Sequence, residues 1–184
     1  MAVQYFPNKD NECFGCSLAN LLVQKGDNDL ARAVFENYRK HPLVADTGEM
    51  SFGLSTRLVH DLTGGKYSAT LYCEDLITDL EQLTRKEFPE KAGLIVEAIR
   101  EEYEKGRILI NPEKVEYQLP AMLMLKAEYM CHWVVYVDNN VVPMLIDNGQ
   151  VKFLPINNIS YAPGVLAVKK NSFISTLKDR FHKR

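Results

Sequence analysis

From residue 119 onward the chain becomes apolar, β-branched and punctuated by turn residues, and this change constrains the fold more than any other feature. Runs at 119–125, 132–138, 141–147, 151–154 and 164–168 read as successive strands, with Asn139-Asn140 and Asn148-Gly149 as hairpin turns. A hairpin centred on Asn139-Asn140 sets His132 directly opposite Asp147 on one side of the sheet, with Cβ atoms about 4.5–5.5 Å apart. Pro143 cannot donate to a ladder, yet a four-residue loop places it at a non-hydrogen-bonded site and keeps the same register. Trp133, Val135 and Val137 then point the other way, into the core.

The preceding residues are mainly helical. Apolar spacing predicts helices over 16–25, stopped by Gly26, and over 29–40, stopped by Pro42, with a third running to residue 62 before Gly64-Gly65. A strand at 66–72, two amphipathic helices at 73–85 and 89–105, and a strand at 107–111 follow. Helices first and an antiparallel sheet afterwards make an α+β fold.

A length of 184 residues suits a single domain spanning 1–184, with a charged helical insertion at about 74–105 and a basic tail at about 171–184. Hydrophobic residues make up 46% and charged residues 25%, the balance of a soluble globular protein rather than a disordered one. The net charge of −2 supplies no basic field for nucleic acid. No apolar stretch approaches the roughly 18 residues of a membrane span, and the first residues lack the basic and apolar regions of a secretion signal. The expectation is a cytoplasmic protein whose four cysteines, at 13, 16, 73 and 131, are free thiols.

Cys16 sits where a polar loop gives way to the apolar helical run Leu18, Ala19, Leu21 and Leu22. The positive end of a helix favours a thiolate, the nucleophilic form of cysteine. A thiol, an imidazole and a carboxylate to orient it are the parts of a cysteine hydrolase, which nominates Cys16, His132 and Asp147. Each has a plainer reading: a buried structural thiol, a core histidine, an aspartate before a turn. Cys13-Phe-Gly-Cys16 is also a Cys-x-x-Cys motif, and with Cys131-His132 it could complete a zinc site. Adjacent residues on a strand face opposite ways, which counts against that site. A thioredoxin-like use needs a βαβ beginning, and only twelve residues precede Cys13.

The stretch Asn11-Glu-Cys-Phe-Gly-Cys16-Ser-Leu-Ala-Asn-Leu-Leu, the segment Leu119-Pro-Ala-Met, the strand His132-Trp-Val-Val, the turn Asp147-Asn-Gly149 and the ending Tyr161-Ala-Pro-Gly-Val-Leu-Ala-Val168 resemble, in order, a papain-like cysteine peptidase. The set is similar to the peptidase domain of bacteriocin-processing transporters, which cut after double-glycine leader peptides. In that family an Asp or similar residue and a Cys open a helix. The resemblance implies N-terminal helices packed on a C-terminal antiparallel sheet, a Cys-His-Asp triad cleaving peptide or isopeptide bonds, a peptide or protein substrate, and no cofactor or metal. It also implies a Gln six residues before the nucleophile for the oxyanion hole. Counted from Cys16 that position is Asp10, whose charge would repel an oxyanion, so Asn11 with the Cys16 backbone N–H is the expected donor pair and Asn8 the alternative. The charged block at 74–105 is expected to act as a lid or substrate-docking insertion. A papain-like binding module that has lost turnover is the competing reading. The ATP-hydrolysing and membrane parts of those transporters are absent, and the oligomeric state is not encoded in any of these motifs.

Overall fold

A computed structural model of the chain describes residues 5–8, 11–113, 117–127, 130–138, 144–147, 149–153 and 164–171. Phe14, Leu18, Leu21 and Leu22 recur at helical spacing and are fully buried, and they form the inner face of α1 (Cys13–Gln24). The helix therefore begins three residues earlier than the apolar run from Leu18 suggests. α2 (Asn28–Asn37) packs beside it and runs into a short 3₁₀ turn, Tyr38–Lys40. A second 3₁₀ turn, Phe52–Leu54, leads into α3 (Ser55–Leu62). The central part comprises β1 (Tyr67–Cys73), α4 (Ile77–Glu87), α5 (Ala92–Glu104) and β2 (Ile108–Ile110). The rest is extended: β3 (Ala121–Ala127), β4 (Met130–Asp138), β5 (Met144–Asp147), β6 (Gln150–Phe153) and β7 (Gly164–Lys170).

Among the described residues the strands form one seven-stranded sheet in the order β2-β1-β7-β3-β4-β5-β6. The fold is mixed α+β, as expected, but the sheet is neither purely C-terminal nor purely antiparallel. β1 and β2 come from the middle of the chain and pair parallel, Leu71 with Ile108 and Cys73 with Ile110. Parallel neighbours need a crossover, and α4–α5 supplies it. The helical block expected as an insertion is thus the connection between two sheet strands. Its apolar stripe is also in the main core, since Ile95 and Ile99 are fully buried and a Cβ added at Gly53 would stand 2.9 Å from the end of the Ile99 side chain. Those contacts tie the two helices to the body of the fold.

The helices bury one face of the sheet. Trp133, Val135, Ile146 and Leu166 join Phe14, Leu18 and Leu58 in the main core, whereas Leu123, Val134 and Tyr136 make a smaller cluster. Trp133 anchors α1: its ring meets Phe14 edge-on at 5.5 Å and lies 5.6 Å from Phe52. Aromatic pairs of this kind add about 0.5–1.5 kcal/mol each beyond area burial. Ser17 Oγ donates a buried 2.7 Å hydrogen bond to the Trp133 carbonyl, which sets the height of α1 on β4. The start of α1 is thereby held next to residue 132. Among the described residues no helix is long and apolar enough to cross a membrane. The basic tail beyond Asn171 and the turn 139–143 lie outside the described residues.

Candidate active site

β4 pairs with β5 through Val135–Ile146 and Tyr136–Leu145, with an irregularity before Asp138–Met144. This is two residues away from the expected register, so Asp147 falls level with Val134 and is the diagonal neighbour of His132 rather than its direct partner. A two-residue slip leaves every side chain on its own face. His132 and Asp147 therefore still meet, with Nε2 donating to Oδ1 at 2.5 Å. On the far side, β6 pairs Asp147 with Gln150 and Leu145 with Lys152, which makes Lys152 the next diagonal neighbour. Its ammonium group forms an ion pair with Asp147 Oδ2. The carboxylate is held by both oxygens, through an imidazole from β4 and a lysine from β6.

Burial pushes the Asp147 carboxyl up, but the hydrogen bonds from Lys152 and His132 outweigh it and hold the group below its usual range. His132 moves the opposite way, to about 9. Its hydrogen bond with the Cys13 thiol contributes most, burial works against the shift, and Asp147 adds a hydrogen bond and its charge. At neutral pH the imidazole is then cationic, so both ring nitrogens donate. With Nε2 on Asp147, Nδ1 is the nitrogen left for sulfur.

The thiol beside His132 is that of Cys13, three residues before the one singled out from sequence. Cys13 is half-buried and is the first residue of α1. The opening N–H groups of a helix have no intrahelical acceptor, and the dipole there favours negative charge. Cys16 lies one turn inward and is 3% exposed. Its thiol donates to the Pro7 carbonyl at 3.3 Å and faces Asn8 Oδ1 at 3.9 Å. Its backbone N–H donates to the Glu12 carbonyl at 3.0 Å, so it continues the helix instead of facing an oxyanion. The signal that locates Cys13 is Phe14: counted from there, Phe14, Leu18, Leu21 and Leu22 form one stripe that puts Glu12-Cys13 at the helix start.

Cys16 belongs to another device. Cys16, Asn20 and Gln24 follow one another at four-residue spacing along α1, and together they bind the segment 5–8 running antiparallel to the helix. The Asn20 side chain brackets Phe6, its Oδ1 accepting from the backbone N–H at 2.7 Å and its Nδ2 donating to the carbonyl at 3.0 Å. Gln24 hydrogen-bonds the Tyr5 hydroxyl. The β5–β6 turn rests on the same segment. Gly149 adopts a positive φ of 73°, and a Cβ there would stand 3.1 Å from the Phe6 carbonyl and Pro7 Cα. Residues 6 and 7 are thus a common footing for α1, which carries Cys13, and for the hairpin that carries Asp147 and Lys152.

Asn11, the expected oxyanion donor, has φ 32° and gives its side-chain N–H to Glu49 Oε1 at 3.2 Å on the exposed rim. The neighbouring Glu12 pairs with Arg39, and the Tyr38 hydroxyl donates to the Gly48 carbonyl at 3.0 Å, which brings the 45–49 loop against the start of α1. Asn11 is therefore a link between this loop and the helix start. Among the described residues no group of three or more His, Cys, Asp or Glu side chains is arranged to hold a metal ion, and the Cys131 side chain of the zinc alternative lies outside them. No protein-family model matches this chain and no curated protein matches it, so what the site does rests on its own geometry.

Proposed function

We propose that the protein is a papain-like cysteine hydrolase that cleaves peptide or isopeptide bonds, with Cys13 as nucleophile, His132 as its acid–base partner and Asp147 as the orienting carboxylate. The observations that carry this reading are the 2.5 Å hydrogen bond between His132 and Asp147 and the Cys13 thiol beside the same imidazole, the first cause of its raised pKa. Glu12-Cys13 opening α1 also fits the acidic residue and cysteine that begin a helix in the bacteriocin-processing peptidase domains better than Cys16 does.

The chemistry follows from the positions. The Cys13 sulfur, its proton passed to His132, attacks the carbonyl carbon of the substrate, and the carbonyl oxygen becomes an oxyanion facing the N–H groups of the first turn of α1. His132 passes a proton to the leaving amine, which departs and leaves a thioester on Cys13. A water molecule, deprotonated by His132, then attacks the thioester, releases the acid and restores the thiol. Transfer to a non-water acceptor would use the same groups. Asp147, locked on its other oxygen by Lys152, keeps the imidazole ring from turning between these steps.

A specific feature favours a second reading, a binding module without turnover. Counted from Cys13, the family's oxyanion Gln falls on Pro7, which has no donor, and the Asn11 amide is engaged by Glu49. Turnover of a peptide and isopeptide library decides between the two. Cys13→Ala is expected to lower the rate by at least about 10³-fold, whereas Cys16→Ala keeps the activity that its folded fraction allows. A Cys13→Ala protein as active as wild type ends the hydrolase reading; a folded wild type that binds library peptides without cutting any establishes the module.

A further inference from the structure

With Cys13 beside the imidazole, the first turn of α1 contains a second thiol, that of Cys16, which the proposed reaction does not use. We propose that this turn is also a site of reversible oxidation, at which a hydroperoxide converts Cys13 to a sulfenic acid and Cys16 resolves it as a Cys13–Cys16 disulfide. The inference rests on Cys13 being the reactive thiol beside His132, as the proposed function has it, but not on turnover of any substrate.

Three features carry it. The first is access. Cys13 is half-buried and next to His132, so a small peroxide reaches it, whereas Cys16 is buried and meets only what is already bound to Cys13. The second is spacing. Side chains three residues apart in a helix have Cβ atoms about 5–6 Å apart, and a disulfide needs about 3.5–4.5 Å, so the turn must tighten by about 1–2 Å. The start of α1 is where the helix can yield, because Glu12 at its N-cap makes no side-chain capping bond to the turn. The third is the absence of a better-placed competitor among the described thiols. Cys73 lies on β1 at the far side of β7 and β3, its thiol is pushed up to about 12, chiefly by burial, and it faces the Asp75 carbonyl at 3.8 Å.

The electrons balance as follows. The Cys13 sulfur attacks one peroxide oxygen, the O–O bond breaks, and the other oxygen leaves as an alcohol, or as water from hydrogen peroxide, with a proton from His132. The Cys16 sulfur then attacks the sulfenic sulfur, the S–S bond forms, the S–O bond breaks, and the hydroxide leaves as water with the Cys16 proton. Two thiols lose two electrons in total and one peroxide is reduced. The product takes Cys13 off His132 and Cys16 off Pro7, so the site is silent while bridged. A bridge formed by tightening a helical turn is more easily reduced than a relaxed one, so a dithiol restores it. Without Cys16, sulfenic Cys13 proceeds to sulfinic acid and is lost.

The test uses the full chain treated with hydrogen peroxide, blocked with an alkylator and mapped by mass spectrometry of the peptide containing both residues. In wild type that peptide is expected to lose two hydrogens and to regain both thiols with dithiothreitol. In Cys16→Ser and Cys16→Ala it is expected to accumulate a sulfinic acid that dithiothreitol does not reverse. Wild-type Cys13 passing directly to sulfinic acid while Cys16 remains a thiol overturns the proposal, whatever the variants do. These masses are read whether or not any peptide is cut. A chain that bridges but hydrolyses nothing keeps this inference and loses the hydrolase; a peptidase that never bridges does the reverse.

Discussion

His132 is the residue on which the site's electrostatics converge, and its protonation is coupled to folding. Its folded pKa, about 9, stands above the ordinary 6.5. A raised pKa means that the folded state binds the proton more tightly, so this contribution is complete below about pH 6.5 and is lost as pH rises through about 9. Discounted for partial exposure, it is on the order of 1–3 kcal/mol. His132→Gln is expected to flatten the fall in stability between about pH 6.5 and 9.5, measured by urea unfolding at several pH values. An unchanged slope would show that other groups set it. At this scale the sequence was informative about the imidazole and the carboxylate, because parity along two neighbouring strands survives an error of two in their register. It misled about the sulfur, since the helix start was placed by Leu18 when Phe14 continues the same stripe one turn earlier. Lys152 is not legible in the sequence because a lysine on a short strand normally means solvent, and only the pairing of β6 with β5 aims it at Asp147.

Among the elements, α1 does the most positioning, through the polar face that holds segment 5–8. Asparagine inside an apolar helix is a poor helix former, and Asn20 is buried. Its presence there is explained by the two bonds that it makes to the Phe6 backbone. Asn20→Ala strands both Phe6 groups, so it is expected to cost about 1–3 kcal/mol and to open residues 5–8 to proteolysis. Chemical unfolding and limited digestion of the same sample would check both; a variant as stable and as resistant as wild type would mean that the bracket is decorative. The strands were legible to within a few residues, because their alternation is regular. Segment 5–8 was not, because a side chain that mimics a strand partner leaves no periodic trace in the residues that it binds.

For the whole molecule, α+β class was legible from local patterns, but the neighbours within the sheet were not, since nothing near a strand specifies a partner far away in sequence. The crossover nature of α4–α5 depends on that hidden order. If the pair belongs to the one core, Ile99→Ala should destabilise the entire fold by about 2–5 kcal/mol. Fluorescence of Trp133, the single tryptophan, should then fall in step with helical circular dichroism at a lower temperature than in wild type. Helix loss that precedes any change around Trp133 would instead mark the two helices as a separate unit. β7 gives the topology a temporal meaning. It is the last described strand to leave a ribosome, yet it lies between β1 and β3, so a growing polypeptide cannot close its sheet into one until Gly164–Lys170 has emerged.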